Sequence, residues 1–478
     1  MIRNNLVDKK YFIPILLLLC VFTRILTSIY YIEDIDSLRF ALSINEYSLI
    51  KLQPHFPGYP VFIFFVKIIY LLTNNMGIAF SIIGSISLFI IIYYTIKISK
   101  ITSDVYSESF MMLLLFFNPL IWLMSNRYMP DLMGLSISLM ALYYLLFDFE
   151  ENQYLNYGYF LTGLLFGTRL SYVPILIIPL AYRIMKNTNK IKLIYSFTIG
   201  LCIWFIPFLY ISGFENLLHV ASNQTVGHFR DFGGTIFSEL DWYKRFSYFI
   251  QSIWADGLGG YWSSRAFPTF ITSACMIFFL YQFRYSGNWS WLKSRKYKLI
   301  IASLIIYLVW IFLFQNIIYK SRHILPVLPF AIILITLAYK YSRNHKPILS
   351  NIIATTLLFN LLIITYTLTI QHKGSTAISQ LYTYLSKSNE SLDIISIPLI
   401  NYYLKSHGLK QKYIDINIQN PHELNQINNI SKNNIVIGEF KKLFEKQYVI
   451  IPDTIFYHNP YMNRMWSKID TYHLVQKD

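Results

Sequence analysis

Charge is what this sequence has least of. Only 14% of its 478 residues are Asp, Glu, Lys or Arg, where a soluble domain carries about a quarter. With 55% hydrophobic residues and a mean hydropathy of +0.42, a soluble globular chain is excluded. Several apolar runs reach the roughly 18 residues that suggest a membrane span. Cysteine is equally scarce. Cys20, Cys202 and Cys275 each lie inside an apolar run, which excludes a disulfide-stapled scaffold, and no zinc-type Cys/His spacing is present. Acidic residues are outnumbered 25 to 41, for a net charge of +16. A nucleic-acid partner is nevertheless excluded, because the basic residues fall in short clusters between apolar runs, as the positive-inside rule requires. Internal repeats and low-complexity tracts are also missing, which counts against an inverted-repeat transporter.

What is present is a series of candidate helices, at roughly 11–31, 57–73, 78–97, 108–126, 131–148, 156–168, 171–184, 191–213, 266–284, 299–317, 323–341 and 348–370. The N-terminal stretch MIRNNLVDKK and the long run after it read as an uncleaved first span. Segment 57–73 spans only about 25 Å at 1.5 Å per residue and carries Lys67 near its middle. If it lies in the outer interface, the basic loops 97–100, 183–192, 284–298 and 340–346 all face the cytoplasm with the N-terminus. The expected fold is a polytopic α-helical membrane protein with about 11 transmembrane helices plus outer-face interfacial helices. Residues 1–370 form the membrane domain. Residues 371–478 alternate β-rich runs (392–397, 413–417, 434–438, 448–451) with helix-like runs (PLINYYLK, PHELNQI, EFKKLFEK), which reads as a small C-terminal α/β extracytoplasmic domain.

This threading collects a polar set on the outer face. The first loop, IEDIDSLRF, holds Glu33, Asp34 and Asp36, with His55 further on. The second holds Arg127 and Asp131, the turn after 167 holds Arg169, and the segment before 323 holds Arg322 beside His323. The long stretch 214–265 reads as a loop carrying His228 and Arg230 among glycines. Each has a plain structural reading: Asp131 suits a helix N-terminus, Arg127 an interfacial anchor, Arg169 an ion pair, and Glu33 a solvated neighbour. Taken together, a carboxylate that accepts a proton and arginines that clamp a phosphate suit group transfer from a lipid phosphate.

The stretch DSLRFAL…QPHFPGYPVF (36–62) resembles the first outer loop of the GT-C superfamily of membrane glycosyltransferases, which includes the protein O-mannosyltransferases and the lipid A aminoarabinose transferase. RYMPDLMGL (127–135), GTRLSYVPILIIPL (167–180), YKSRHILPVLPF (319–330) and NPYMNRMWSKIDTYHL (459–474) extend the resemblance over nearly the whole chain. It implies an extracytoplasmic, cell-envelope enzyme moving a sugar from a polyprenyl-phosphate donor to a hydroxyl of a protein, lipid or glycan. It also implies the first-loop acid, matched by Asp36, as general base; Asp34 and Asp131 are further candidate acids on their own positions. Arg322, Arg169, His55, His323, Arg127, His228 and Arg230 form the donor-binding set. The Asp34-x-Asp36 spacing resembles the metal-binding acids of oligosaccharyltransferases, so a divalent cation on that pair is the alternative to metal-free catalysis. The alternatives in function are a flippase and an O-antigen ligase or polymerase.

Overall fold

The structure, a computed structural model, describes residues 11–99, 104–147, 155–187, 189–230, 233–284, 293–388, 391–416 and 430–477. The first ten residues, parts of the basic loops at 97–100 and 284–298, and the run PHELNQI lie outside them. The chain clusters into two compact units. One comprises Met1–Tyr30 and Arg39–Ile370, and the other Tyr31–Leu38 and Gln371–Asp478. The acid-bearing start of the first loop therefore groups with the C-terminal residues, although sequence alone assigned it to the membrane domain.

The first unit is helical, and a helix covers most of each apolar run. Four stretches, Met76–Ser99, Lys190–Ser212, Arg295–Phe314 and Ser321–His345, are long and apolar enough to cross a membrane, as is the stretch that begins at Pro347. A sixth is formed if the bent pair Val105–Phe116 and Pro119–Asn126 counts as one span. Phe12–Leu26, Pro60–Thr73 and Asp131–Leu146 are shorter apolar helices. The chain is an integral membrane protein. The stretch 214–265 is more ordered than its polar composition suggests, with helices at Phe214–Arg230 and Trp242–Gln251 and a π-helical turn at Ser252–Gly257.

Helix ends inside an apolar bundle leave carbonyls without partners, and unpaired polar groups there are costly. The 51° bend between Phe116 and Pro119 shows how this chain answers that. Arg24 of the first helix donates to Phe116 O at 2.9 Å and stacks on Trp122, 3.6 Å from the ring centroid. Thr365 donates to Phe117 O at 2.7 Å. Asn118 caps the next helix by accepting from the Ile121 amide at 3.0 Å, with Pro119 following at a first-turn position where no N–H is needed. Two other arginines do the same work at other ends. Arg183 donates to Leu145 O, and Arg245 to Phe312 O at 2.8 Å and Gly234 O at 2.6 Å. The cation at each carbonyl end also complements the helix dipole. Lys190–Ser212 packs on Leu155–Phe166 through Gly200 and Gly163, where a Cβ would meet the opposing backbone, the small-residue contact of membrane helices.

The second unit holds a five-stranded mixed sheet. Its strands are β1 (Asp393–Ser396), β2 (Lys412–Asp415), β3 (Asn434–Ile437), β4 (Tyr448–Tyr457) and β5 (Lys468–Gln476), in the order β2-β1-β3-β5-β4. β1 pairs in parallel with β2 and β3, and β5 pairs antiparallel with β3 and β4. Helix Pro398–Ser406 makes the crossover from β1 to β2. Ile395, Val436, Tyr472 and Leu474 pack in its core. The four β-rich runs read from the sequence correspond to β1 to β4, while β5 was hidden in the closing stretch 459–474.

Replacing Arg24 with Met keeps the apolar stem and leaves Phe116 O without its charged donor. The variant is expected to lose about 2 kcal/mol of stability, read as a lower thermal midpoint in detergent. An unchanged midpoint would show that the bend does not depend on this contact.

Candidate functional site

Asp131 opens helix Asp131–Leu146, directly after Pro130, and is fully buried. A carboxylate cannot be held there uncompensated, and the compensation comes from two distant turns. The first follows helix Leu155–Phe166. Gly167 and Thr168 end that helix with turn hydrogen bonds to Leu164 and Leu165, and a 3-10 helix, Leu170–Leu176, begins after Arg169. Arg169 Nη2 donates to Asp131 Oδ1 at 2.9 Å, and Tyr172 Oη donates to the same oxygen at 3.2 Å. Arg169 stands at the N-cap of this helix and Tyr172 in its first turn, and both reach the same carboxylate oxygen. The second turn is the 3-10 helix Ser321–Val327, which brings Arg322 Nε to 3.8 Å from Asp131 Oδ1. Asp131 Oδ2 is buried without a hydrogen-bond partner among the described residues.

The first loop joins this cluster through Tyr59. Arg169 Nη1 donates to Tyr59 Oη at 3.3 Å, and that hydroxyl lies 3.1 Å from His55 Nε2. Arginine only donates, so Tyr59 accepts from it and keeps its own proton for His55. Tyr59 precedes Pro60 with a left-handed backbone, φ 48°, which a bulky residue before proline rarely adopts. Tyr47 Oη donates to Gly58 O at 2.8 Å and braces the turn. Phe40 packs edge-on against both His55 and Tyr59. Local strain held by such contacts is characteristic of functional sites.

His323, buried beside Arg322, is within electrostatic reach of Arg169 and His228, and Tyr307 donates to its carbonyl at 2.8 Å. His228 is not in a loop. It belongs to the last turn of helix Phe214–Arg230, with its Nε2 donating to Phe314 O at 2.8 Å. Burial, then Lys320 and Arg169, push its pKa below the ordinary histidine value, against the opposing carbonyl hydrogen bond. Arg230 ends the same helix exposed to solvent. Arg127 is buried with Nη1 3.9 Å from Met124 Sδ. The structure thus gathers Asp131, Arg169, Arg322 and His55, with His323 and His228 near them, while Arg230 is exposed. Tyr59, Tyr172 and Gly134 are the participants that sequence reasoning passed over. Only the Arg-x-x-Tyr spacing across a short turn signalled one of them.

The other acids belong to the second unit. Glu33 is not a solvated neighbour. It is buried, and His372 Nε2 donates to it at 2.9 Å. Asp34 Oδ1 accepts from the Ser37 amide at 2.8 Å, capping helix Ile35–Asn45, and its Oδ2 accepts from Asn463 Nδ2 at 3.2 Å. Asp36 stands in the first turn of that helix, 5% exposed. Among the described residues, no group of three or more His, Cys, Asp and Glu gathers where a metal ion could be held.

Gly134 lies one turn after Asp131, and a Cβ there would collide with Cβ of Arg169 and press on Tyr172. Gly134→Ala is therefore expected to push Arg169 off Asp131 and lower stability by about 1–3 kcal/mol, read by thermal unfolding. Wild-type stability would mean that the arginine has room to yield.

No family model matches the chain, and no curated protein matches it in sequence. Among solved structures, ArnT from Cupriavidus metallidurans matches in the apo state with a TM-score of 0.57, and bound to undecaprenyl phosphate with 0.55. Each match is 9% identical in sequence and covers 96% of this chain and 97% of that one. At this identity the likeness is one of fold alone: the chain shares the overall fold of ArnT.

Proposed function

We propose that this protein transfers a sugar from a polyprenyl-phosphate donor to a hydroxyl acceptor. The observation that carries the reading is the buried cluster in which the Arg169 and Arg322 guanidinium groups approach Asp131. Guanidinium groups fixed in a low-dielectric setting are suited to clamp a phosphate. The fold likeness to ArnT, one of whose structures is bound to undecaprenyl phosphate, supports the same substrate class. The donor's lipid tail lies among the apolar helices. Arg322 and Arg169 hold the phosphate, with His55 and His323 beside them. The acceptor hydroxyl gives its proton to a carboxylate as its oxygen attacks the anomeric carbon. The bond from that carbon to the phosphate oxygen breaks, and the departing phosphate keeps the electron pair, stabilised by the arginines.

Asp36 is the proposed base, on the resemblance of the Asp-Ser…Phe-Ala stretch to the first outer loop of GT-C enzymes. Asp34 caps its helix and accepts from Asn463, and Glu33 accepts from His372. Asp131, with two cationic neighbours and a tyrosine on one oxygen, is placed to hold the arginines. In the topology that satisfies the positive-inside rule, with about 11 spans and segment 57–73 in the outer interface, this chemistry is extracytoplasmic and the N-terminus cytoplasmic.

Membranes carrying wild type, Asp36→Asn or Arg322→Ala, offered radiolabelled polyprenyl-phosphate sugars and an envelope extract, test this. Each variant is expected to lose transfer by about 10²-fold or more, with EDTA without effect. Unimpaired Asp36→Asn would reject the base, inhibition by EDTA would bring in a cation on Asp34 and Asp36, and lipid translocation without transfer would favour a flippase.

A further inference from the structure

The second unit does more than hold a sheet. Its residues satisfy the backbone and side chains of 31–38 one after another. Tyr403 Oη donates to Ile32 O at 2.7 Å. Thr376 Oγ1 donates to Glu33 O at 2.9 Å. His372, whose carbonyl accepts from Tyr31 Oη at 2.8 Å, donates to the Glu33 carboxylate. Asn463 donates to Asp34. Glu33, Asp34 and Asp36 are 1%, 1% and 5% exposed, so three carboxylates within four positions are kept from water. Such crowding is unfavourable unless donors are built around it.

Asn463 is the most specific of these donors. Its Oδ1 accepts from the Met465 amide at 3.0 Å, which fixes the flip of the amide and leaves Nδ2 for Asp34. Its own carbonyl accepts from His458 Nε2 at 2.8 Å, and His458 Nδ1 accepts from the Ala377 amide at 3.1 Å. One relay therefore runs from helix Ala377–Ser386, through a neutral His458 and Asn463, to the acid that starts the helix carrying Asp36.

We infer that Asn463 is a positioning residue for Asp36, and that the C-terminal unit serves the transfer reaction by setting the start of helix Ile35–Asn45 through Asp34. This rests on the transferase reading above. It assigns the C-terminal residues a task inside the reaction, separate from any selection of the acceptor.

The test uses the full chain in nanodiscs. Asn463→Asp keeps the shape and the bond to Met465 but sets a carboxylate against Asp34. Amide exchange over 35–38 is expected to quicken by about tenfold. The kcat for sugar transfer is expected to fall by about tenfold, with KM for the donor lipid within about twofold. The double variant Asp34→Asn/Asn463→Asp again sets one donor against one acceptor, and is expected to restore both quantities to within about threefold of wild type. A contact that only stabilises the fold would lower the thermal midpoint in Asn463→Asp while leaving kcat per folded molecule unchanged. Unchanged exchange in Asn463→Asp, or a double variant no better than the single, overturns the inference while leaving wild-type transfer, and so the transferase reading, intact. If exchange responds but wild type transfers no sugar, the transferase reading falls, and the catalytic purpose of the contact falls with it.

Discussion

A carboxylate with no access to water governs the polar interior of the helical unit. Asp131 must be paired to be buried, because an isolated charge in that setting would cost several kcal/mol. Pairing it requires three pieces of chain to meet: the helix start at Pro130, the turn that ends at Arg169, and the 3-10 helix that carries Arg322. Once Arg169 is held there, its second nitrogen can hold Tyr59, and Tyr59 orders the strained first-loop turn beside His55. The lack of a side chain at Gly134 is what lets Arg169 come close enough. The geometry proposed to grip a phosphate is thus a consequence of burying one acid.

The arginines of this unit divide by what they touch. Arg24, Arg183 and Arg245 donate to carbonyls at helix ends or beside them. They are the apolar bundle's answer to unfinished backbone. Arg169 and Arg322 face the Asp131 carboxylate instead, which sets them apart from the arginines that finish helix ends.

Much of this was legible in the sequence, for particular reasons. Apolar runs give helices without any tertiary contact, and the expected threading grouped Asp131, Arg169 and Arg322, which the structure brings together. Pairings between distant segments were not legible. Glu33 looked solvated because its partner, His372, lies 339 residues away. Helix Phe214–Arg230 read as loop because Glu215, Asn216, His219, Asn223 and Gln224 break any apolar stripe. Strand β5 was missed because its polar positions Asp470, Thr471 and His473 interrupt the β-rich signal, although Thr471 is buried and donates to Thr454 O. In the site itself, Tyr59 was visible only as part of a Pro-Gly-Tyr-Pro stretch, and its role depends on a turn conformation that residue type does not announce.

The central claim is that the Asp131-anchored arginine pair holds a lipid phosphate. Its most direct test is binding of undecaprenyl phosphate and of undecaprenol to the purified protein in nanodiscs, for wild type and the Arg169→Ala/Arg322→Ala double variant. The account predicts that wild type prefers the phosphate by at least about tenfold, through charge-assisted hydrogen bonds worth over 1 kcal/mol, and that the double variant loses this preference. Equal binding of the two lipids by wild type, or a preference that survives in the double variant, would contradict it.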